Sequence, residues 1–169
     1  MSAVSEAIAK LSKTFTDQPE KARTKNAPAT ALLHDGLTFQ VTGPAGEKIL
    51  TDMPVPMGGT ASAPNPGWLL RAALASCNAT LIAMRAAPLG VTLETLEVTV
   101  DSDSDNRRLL GLDERVTAGM LSLRTKVRIG AKGTAPAQLR ELVAWAEAHS
   151  PVGCTIRQAP SATTEVEVV

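Results

Sequence analysis

One segment limits what this 169-residue chain can become: from Asn65-Pro66 to Pro88-Leu89-Gly90 it spells a single apolar helix. Asparagine is a strong N-cap and proline suits the first helical position. Leu70, Leu74, Cys77, Leu81 and Met84 then recur at four- and three-residue spacing, and the other faces are largely alanine. The pattern predicts a helix buried on most of its sides. Arg71, Ser76, Asn78 and Thr80 interrupt the stretch from Trp68 to Met84, which argues against a membrane span. The rest of the chain has to supply the cover.

That cover reads as mixed. Residues 4–13 form a short amphipathic helix with Val4, Ile8 and Leu11 on one side, and Asp17 to Pro28 is a polar, turn-rich linker. His34-Asp35-Gly36 is a turn that opens the alternation Leu37, Phe39, Val41. Gly43 to Gly46 is a second turn before Lys48 to Thr51, so the pair reads as an antiparallel hairpin. Met53 to Pro66, with four prolines and two adjacent glycines, is a long loop. After the apolar helix come strands at Leu93 to Val100 and Leu121 to Ile129. A helix at Pro136 to His149 turns Leu139, Leu142, Val143 and Ala146 inward. Ser150-Pro151 repeats the capping signature and opens a short helix, and an alternating strand, Thr164 to Val168, closes the chain. The class is α+β with antiparallel sheet.

Composition removes several functions. Seventeen basic residues balance seventeen acidic ones, so nothing draws the chain to nucleic acid or an anionic membrane. The only aromatics are Phe15, Phe39, Trp68 and Trp145, too few for a base-stacking platform. The N-terminus has no continuous apolar region of the kind a secretory signal needs. Asp101, Asp103 and Asp105 begin like a calcium loop, but Asn106 stands where glycine is needed and Leu112 where the bidentate glutamate belongs. A solvated excursion between strands is expected there. Gly58-Gly59 lacks the strand and helix of a phosphate-binding fingerprint and reads as a turn. His149, at a helix end, suits an interaction with the C-terminal dipole. Cys77, Cys154, His34 and His149 have no zinc spacing.

The two cysteines remain. Cys77 sits mid-helix among Ala73, Leu74, Thr80 and Leu81, none of them charged, so any activation comes from elsewhere in the fold. Cys154 lies about one turn into the helix opened by Ser150-Pro151, where the dipole is already fading.

Pro56-Met57-Gly58-Gly59, then Asn65-Pro66-Gly67-Trp68-Leu69-Leu70, then Ala72 to Cys77 resemble the OsmC/Ohr family: a double glycine, a short gap, an Asn-Pro step and a cysteine-bearing helix. Arg108 to Asp113, Ser150-Pro151-Val152 and Glu165 to Val168 follow in the family's order. The resemblance implies an α+β OsmC-like fold, with antiparallel sheets around a central buried cysteine-bearing helix, and an intertwined homodimer. It divides the chain into an N-terminal helix and linker, 1–26, and one OsmC-like domain, 27–169. It implies a cytoplasmic thiol peroxidase for small hydrophobic hydroperoxides, recycled by an external thiol or dithiol, with no cofactor or metal and no nucleic-acid or membrane partner.

In that reading Cys77 attacks the peroxide, and Trp68, Leu74 and Leu81 line the substrate pocket. The resolving cysteine of the peroxidases corresponds to Ser150; Cys154, four residues on and on the same helical face, is the candidate second catalytic residue, and a one-cysteine cycle reduced directly by a low-molecular-weight thiol is the alternative that makes Cys154 dispensable. Gly67 stands where the peroxidases carry a glutamate that pairs with an arginine beside the thiol. That arginine corresponds loosely to the turn at His34-Asp35-Gly36, with Arg23 and Arg71 as alternatives. The departures support an alternative: a diverged relative without efficient turnover that binds a small apolar ligand at the dimer interface.

Overall fold

β1 (Thr30–Asp35), β2 (Thr38–Thr42) and β3 (Lys48–Thr51) form an antiparallel sheet in that order. The computed structural model describes residues 2–169. It divides into two compact units: Glu6–Ala72, which holds this sheet, and residues 2–5 with Ala73–Val169. β2 and β3 are the expected hairpin, closed where Gly43 N donates to Glu47 O at 3.1 Å. β1 is an additional strand. Its Thr30-Ala31-Leu32-Leu33 sets two leucines side by side, which hides any alternation; pairing with β2, Thr30 against Thr42 through Leu33 against Phe39, makes it a strand. The sheet leaves Leu32, Leu33, Ile49 and Leu50 exposed, and the buried residues of this unit are Thr51 and Asp52.

α1 (Ala3–Asp17) outruns the expected 4–13 helix, and a Lys13–Asp17 pair at 2.7 Å holds its last turn. Val4 and Leu11, read as its packing side, are exposed.

α2 (Pro66–Ala86) starts as expected: Trp68 N donates to Asn65 Oδ1 at 2.8 Å and Pro66 takes the first helical position. Its burial corrects the sequence reading. The buried stripe is Leu74, Asn78, Ile82 and Ala86, a pure four-residue spacing, whereas Leu70 and Met84 are exposed and Cys77 and Leu81 half-buried. The helix is not covered on most sides: of its alanines Ala86 is buried, Ala72, Ala75 and Ala79 are half-buried, and Ala73 and Ala83 are exposed. Among the described residues α2 is the one helix long and apolar enough to cross a membrane, by length and composition alone.

β4 (Thr95–Ser104) and β5 (Met120–Gly130) pair antiparallel, with Leu96 against Ile129 and Val98 against Val127. Leu96, Val98 and Val100 are half-buried while Glu97, Thr99 and Asp101 face water. The acidic run is paired with arginines. Arg124 pairs with Asp101 and Asp103, and the Arg107 side chain holds the Asp105 carboxyl down at about 2. α3 (Pro136–His149) lies as expected, with Leu142 and Ala146 buried, and α4 (Pro151–Arg157) follows after one residue. The buried apolar side chains, Leu74, Ile82, Ala86, Leu142 and Ala146, all belong to α2 and α3.

The closing strand expected at Thr164 to Val168 is not formed; this segment has no regular structure, and Val166 and Val168 are more than four-fifths exposed. An alternating sequence becomes a strand only against a neighbour, and no segment among the described residues pairs with it.

Candidate active site

Ser150 is the single residue between α3 and α4, so it ends one helix and caps the next. Its backbone is extended, φ −68° and ψ 114°, as an N-cap requires. Its hydroxyl oxygen accepts the Gly153 amide at 3.1 Å and donates to Cys77 Sγ at 3.3 Å. The two bonds are compatible because an amide N–H can only donate, which leaves the serine's own proton for the sulfur. Ser150 is 1% exposed. Thus a thiol on α2 and a hydroxyl at the α3–α4 junction, 73 residues apart in sequence, meet side chain to side chain.

Around the thiol, Leu74 is three residues before Cys77 and buried, and Leu81 is four after and half-buried, so both flank it on its own helical face. Trp68 is nine residues away, which at about 100° per residue sets it on the opposite side of α2. It is half-exposed and lines a hollow of about 360 Å³ with Asp52, Pro54, Asn65 and Arg71. Arg71 is six residues before Cys77, again off the thiol's face. Arg23 follows a 3₁₀ turn at Pro19–Ala22, and His34 is exposed on β1. Gly67 leaves the first turn of α2 without an acidic residue.

Cys154 is exposed, and both cysteines are free thiols. Its backbone is held on both sides: its N–H donates to Ser150 O at 2.7 Å, and its carbonyl accepts Gln158 N–H at 2.8 Å. His149 does what its position suggested, with Nδ1 2.7 Å from the Trp145 carbonyl in the last turn of α3 and its ring stacked on Trp145 at 4.1 Å.

Two features escaped the sequence reading. Asn78, next to Cys77, is buried, and its Oδ1 lacks a hydrogen-bond partner among the described residues. Only its four-residue spacing from Leu74 and Ile82 would have signalled a polar group in the buried stripe. The second is Asp52, the organiser of the long loop. Its carboxylate accepts bonds from Met53 N, from both Thr60 N and Oγ1, and from both Ser62 N and Oγ, all within 3.0 Å. The Thr60 hydroxyl and the Ser62 amide hold its pKa far below the usual carboxylate range. The double glycine is the turn that permits this. Gly58 sits at φ +87°, and a Cβ on Gly59 would stand 1.9 Å from the Met53 carbonyl oxygen.

No curated protein matches the sequence. Among solved structures, an organic hydroperoxide resistance protein OsmC from Legionella pneumophila superposes with a TM-score of 0.59 at 23% identity, covering 80% of this chain and 92% of that one. An OsmC-like protein from Mycoplasma pneumoniae gives 0.69 at 17% identity, over 81% and 91%. The organic hydroperoxide resistance protein OhrB of Bacillus subtilis gives 0.53 at 19%, over 80% and 93%. These likenesses are of fold. Residues 59–165, which carry the double glycine's second residue, α2 with Cys77, both strands of the second sheet and the Ser150 junction, match the OsmC-like protein family. The chain belongs to the family of OsmC-like proteins.

Proposed function

We propose that this protein is a thiol-dependent peroxidase that reduces organic hydroperoxides, with Cys77 as the attacking thiol. The observation that carries the reading is the Ser150–Cys77 bond of 3.3 Å, which ties the helix thiol to the family's second redox position. Family membership and the names of the structural neighbours agree with it. The Cys77 thiolate attacks the terminal peroxide oxygen. The O–O bond breaks, a sulfenic acid forms, and the alcohol leaves with a proton. Leu74 and Leu81 offer the apolar flank that an alkyl or lipid hydroperoxide requires, whereas Trp68, on the other side of α2, stands apart from the thiol.

The working form in this reading is a cytoplasmic homodimer. The exposed leucines of the first sheet, the uncovered faces of α2 and the unpaired Thr164 to Val168 support it, since a second copy would cover all three. The test is consumption of cumene hydroperoxide in the presence of a thiol. Cys77→Ser is expected to abolish it while leaving oligomeric state and Tm unchanged; full activity in that variant rejects the reading.

One observation favours a second reading. With Gly67 in place of a carboxylate, α2's first turn has no acidic side chain to orient a cation. A protein that binds a small apolar ligand without turnover would retain binding in Cys77→Ala and leave hydroperoxide unconsumed in the wild type.

A further inference from the structure

We propose that Cys77 works in a one-cysteine cycle whose reductant is a small external monothiol, with Ser150 as a positioning residue for the sulfur and Cys154 outside the cycle. The proposal rests on the peroxidase reading above and deepens it.

The argument begins at the sulfur. The side chain nearest in function to a resolving thiol is Ser150 Oγ, 3.3 Å from Cys77 Sγ, and an oxygen there cannot form a disulfide. Nor can Ser150 swing aside freely, because its oxygen holds the Gly153 amide and caps α4. Cys154 lies one turn further along α4, about 6 Å along the axis at 1.5 Å per residue, and its side chain is exposed. A disulfide needs sulfurs about 2.05 Å apart and Cα atoms within about 7 Å. For Cys154 to replace the hydroxyl at the sulfur, its amide would have to leave Ser150 O and its carbonyl would have to leave the Gln158 amide. The cap would be lost with them. The first turn of α4 must unwind for the second thiol to arrive, whereas a small thiol needs no change in the chain, since Cys77 is only half-buried.

The steps balance. Cys77 thiolate and a hydroperoxide give the sulfenic acid and an alcohol, sulfur losing two electrons and the peroxide gaining them. A monothiol then attacks that sulfur. An S–S bond forms, the S–O bond breaks, and water leaves with the thiol's proton. A second monothiol attacks the outer sulfur, releasing a symmetrical disulfide and restoring Cys77.

The experiment oxidises the full-length protein with one equivalent of cumene hydroperoxide and reads the products by intact and peptide mass spectrometry. Without thiol, dimedone is expected to label Cys77. With 2-mercaptoethanol in its place, a mixed disulfide at Cys77 is expected, followed by return to the thiol. In Ser150→Cys the same oxidation is expected to yield a disulfide between Cys77 and the introduced thiol, with loss of the dimedone adduct. A Cys77–Cys154 disulfide in the wild type overturns the one-cysteine cycle and leaves the peroxidase reading standing. Failure of Ser150→Cys to cross-link overturns the placement of Ser150. A Cys77 that hydroperoxide leaves unmodified overturns both readings.

Discussion

Asp52 is 1% exposed and accepts five hydrogen bonds, four of them on Oδ2. A carboxylate so served favours its charged form in the folded state over the unfolded value of about 3.9. Its stabilising contribution is therefore complete above about pH 4 and drains away as the pH falls below that, since unfolding then takes up the proton. Thermal unfolding measured from pH 7 to pH 3 should show a falling Tm in the wild type. Asp52→Asn should start lower at pH 7 and show a flatter acid limb. Gly59 is held to the same loop by space: its missing Cβ is the room the Met53 carbonyl occupies. Gly59→Ala should cost about 3 kcal/mol, the upper end for overpacking, read as a drop in Tm. The sequence marked the double glycine as a turn and passed over Asp52, because an aspartate inside a proline-rich loop looks like any solvated loop carboxylate until the chain closes on it. Cys77 was legible from its helix. Its meeting with Ser150 was not, since composition and periodicity say nothing about residues that a fold brings together across 73 positions.

At the scale of elements, what could be read depended on where the defining signal lay. α2, α3 and α4 announce themselves locally by Asn65-Pro66, Pro136 and Ser150-Pro151, and their starts match the structure. Two of those starts are capped by a side chain and one is not: Ala135 precedes α3 with no side-chain bond. This contrast gives opposite expectations. Asn65→Ala should destabilise by about 1 kcal/mol, and Ala135→Ser should stabilise by up to about 1 kcal/mol, both measured by urea denaturation. Strands are the converse case, because pairing decides them. β1 exists through its register with β2 despite a poor pattern, while Thr164 to Val168 has a good pattern and no partner among the described residues. The phase of α2 was misread for a related reason. Both stripes share Leu74, and an asparagine in the buried one made the stripe through Cys77 look the better.

For the whole molecule, five buried apolar side chains among the described residues are a small core for a chain of this length, and the unit Glu6–Ala72 contributes none of them. The proposed homodimer would supply the missing burial. Sedimentation equilibrium should return twice the chain mass of 17.6 kDa, with a Tm that rises with protein concentration. Leu33→Lys, at a side chain 69% exposed in the single chain, should shift the equilibrium toward the monomer. The sequence supported the family through motifs between Pro56 and Val168, most of them inside the matched residues 59–165, yet it could not say which apolar faces the chain covers by itself. The Ser150 junction carries a consequence for the protein under stress. One hydroxyl serves both the first turn of α4 and the sulfur of Cys77, so fraying of a seven-residue helix and desertion of the thiol are the same event. Heat that loosens that turn therefore also withdraws the hydroxyl from the Cys77 sulfur, so the proposed chemistry is tied to the integrity of one short helix.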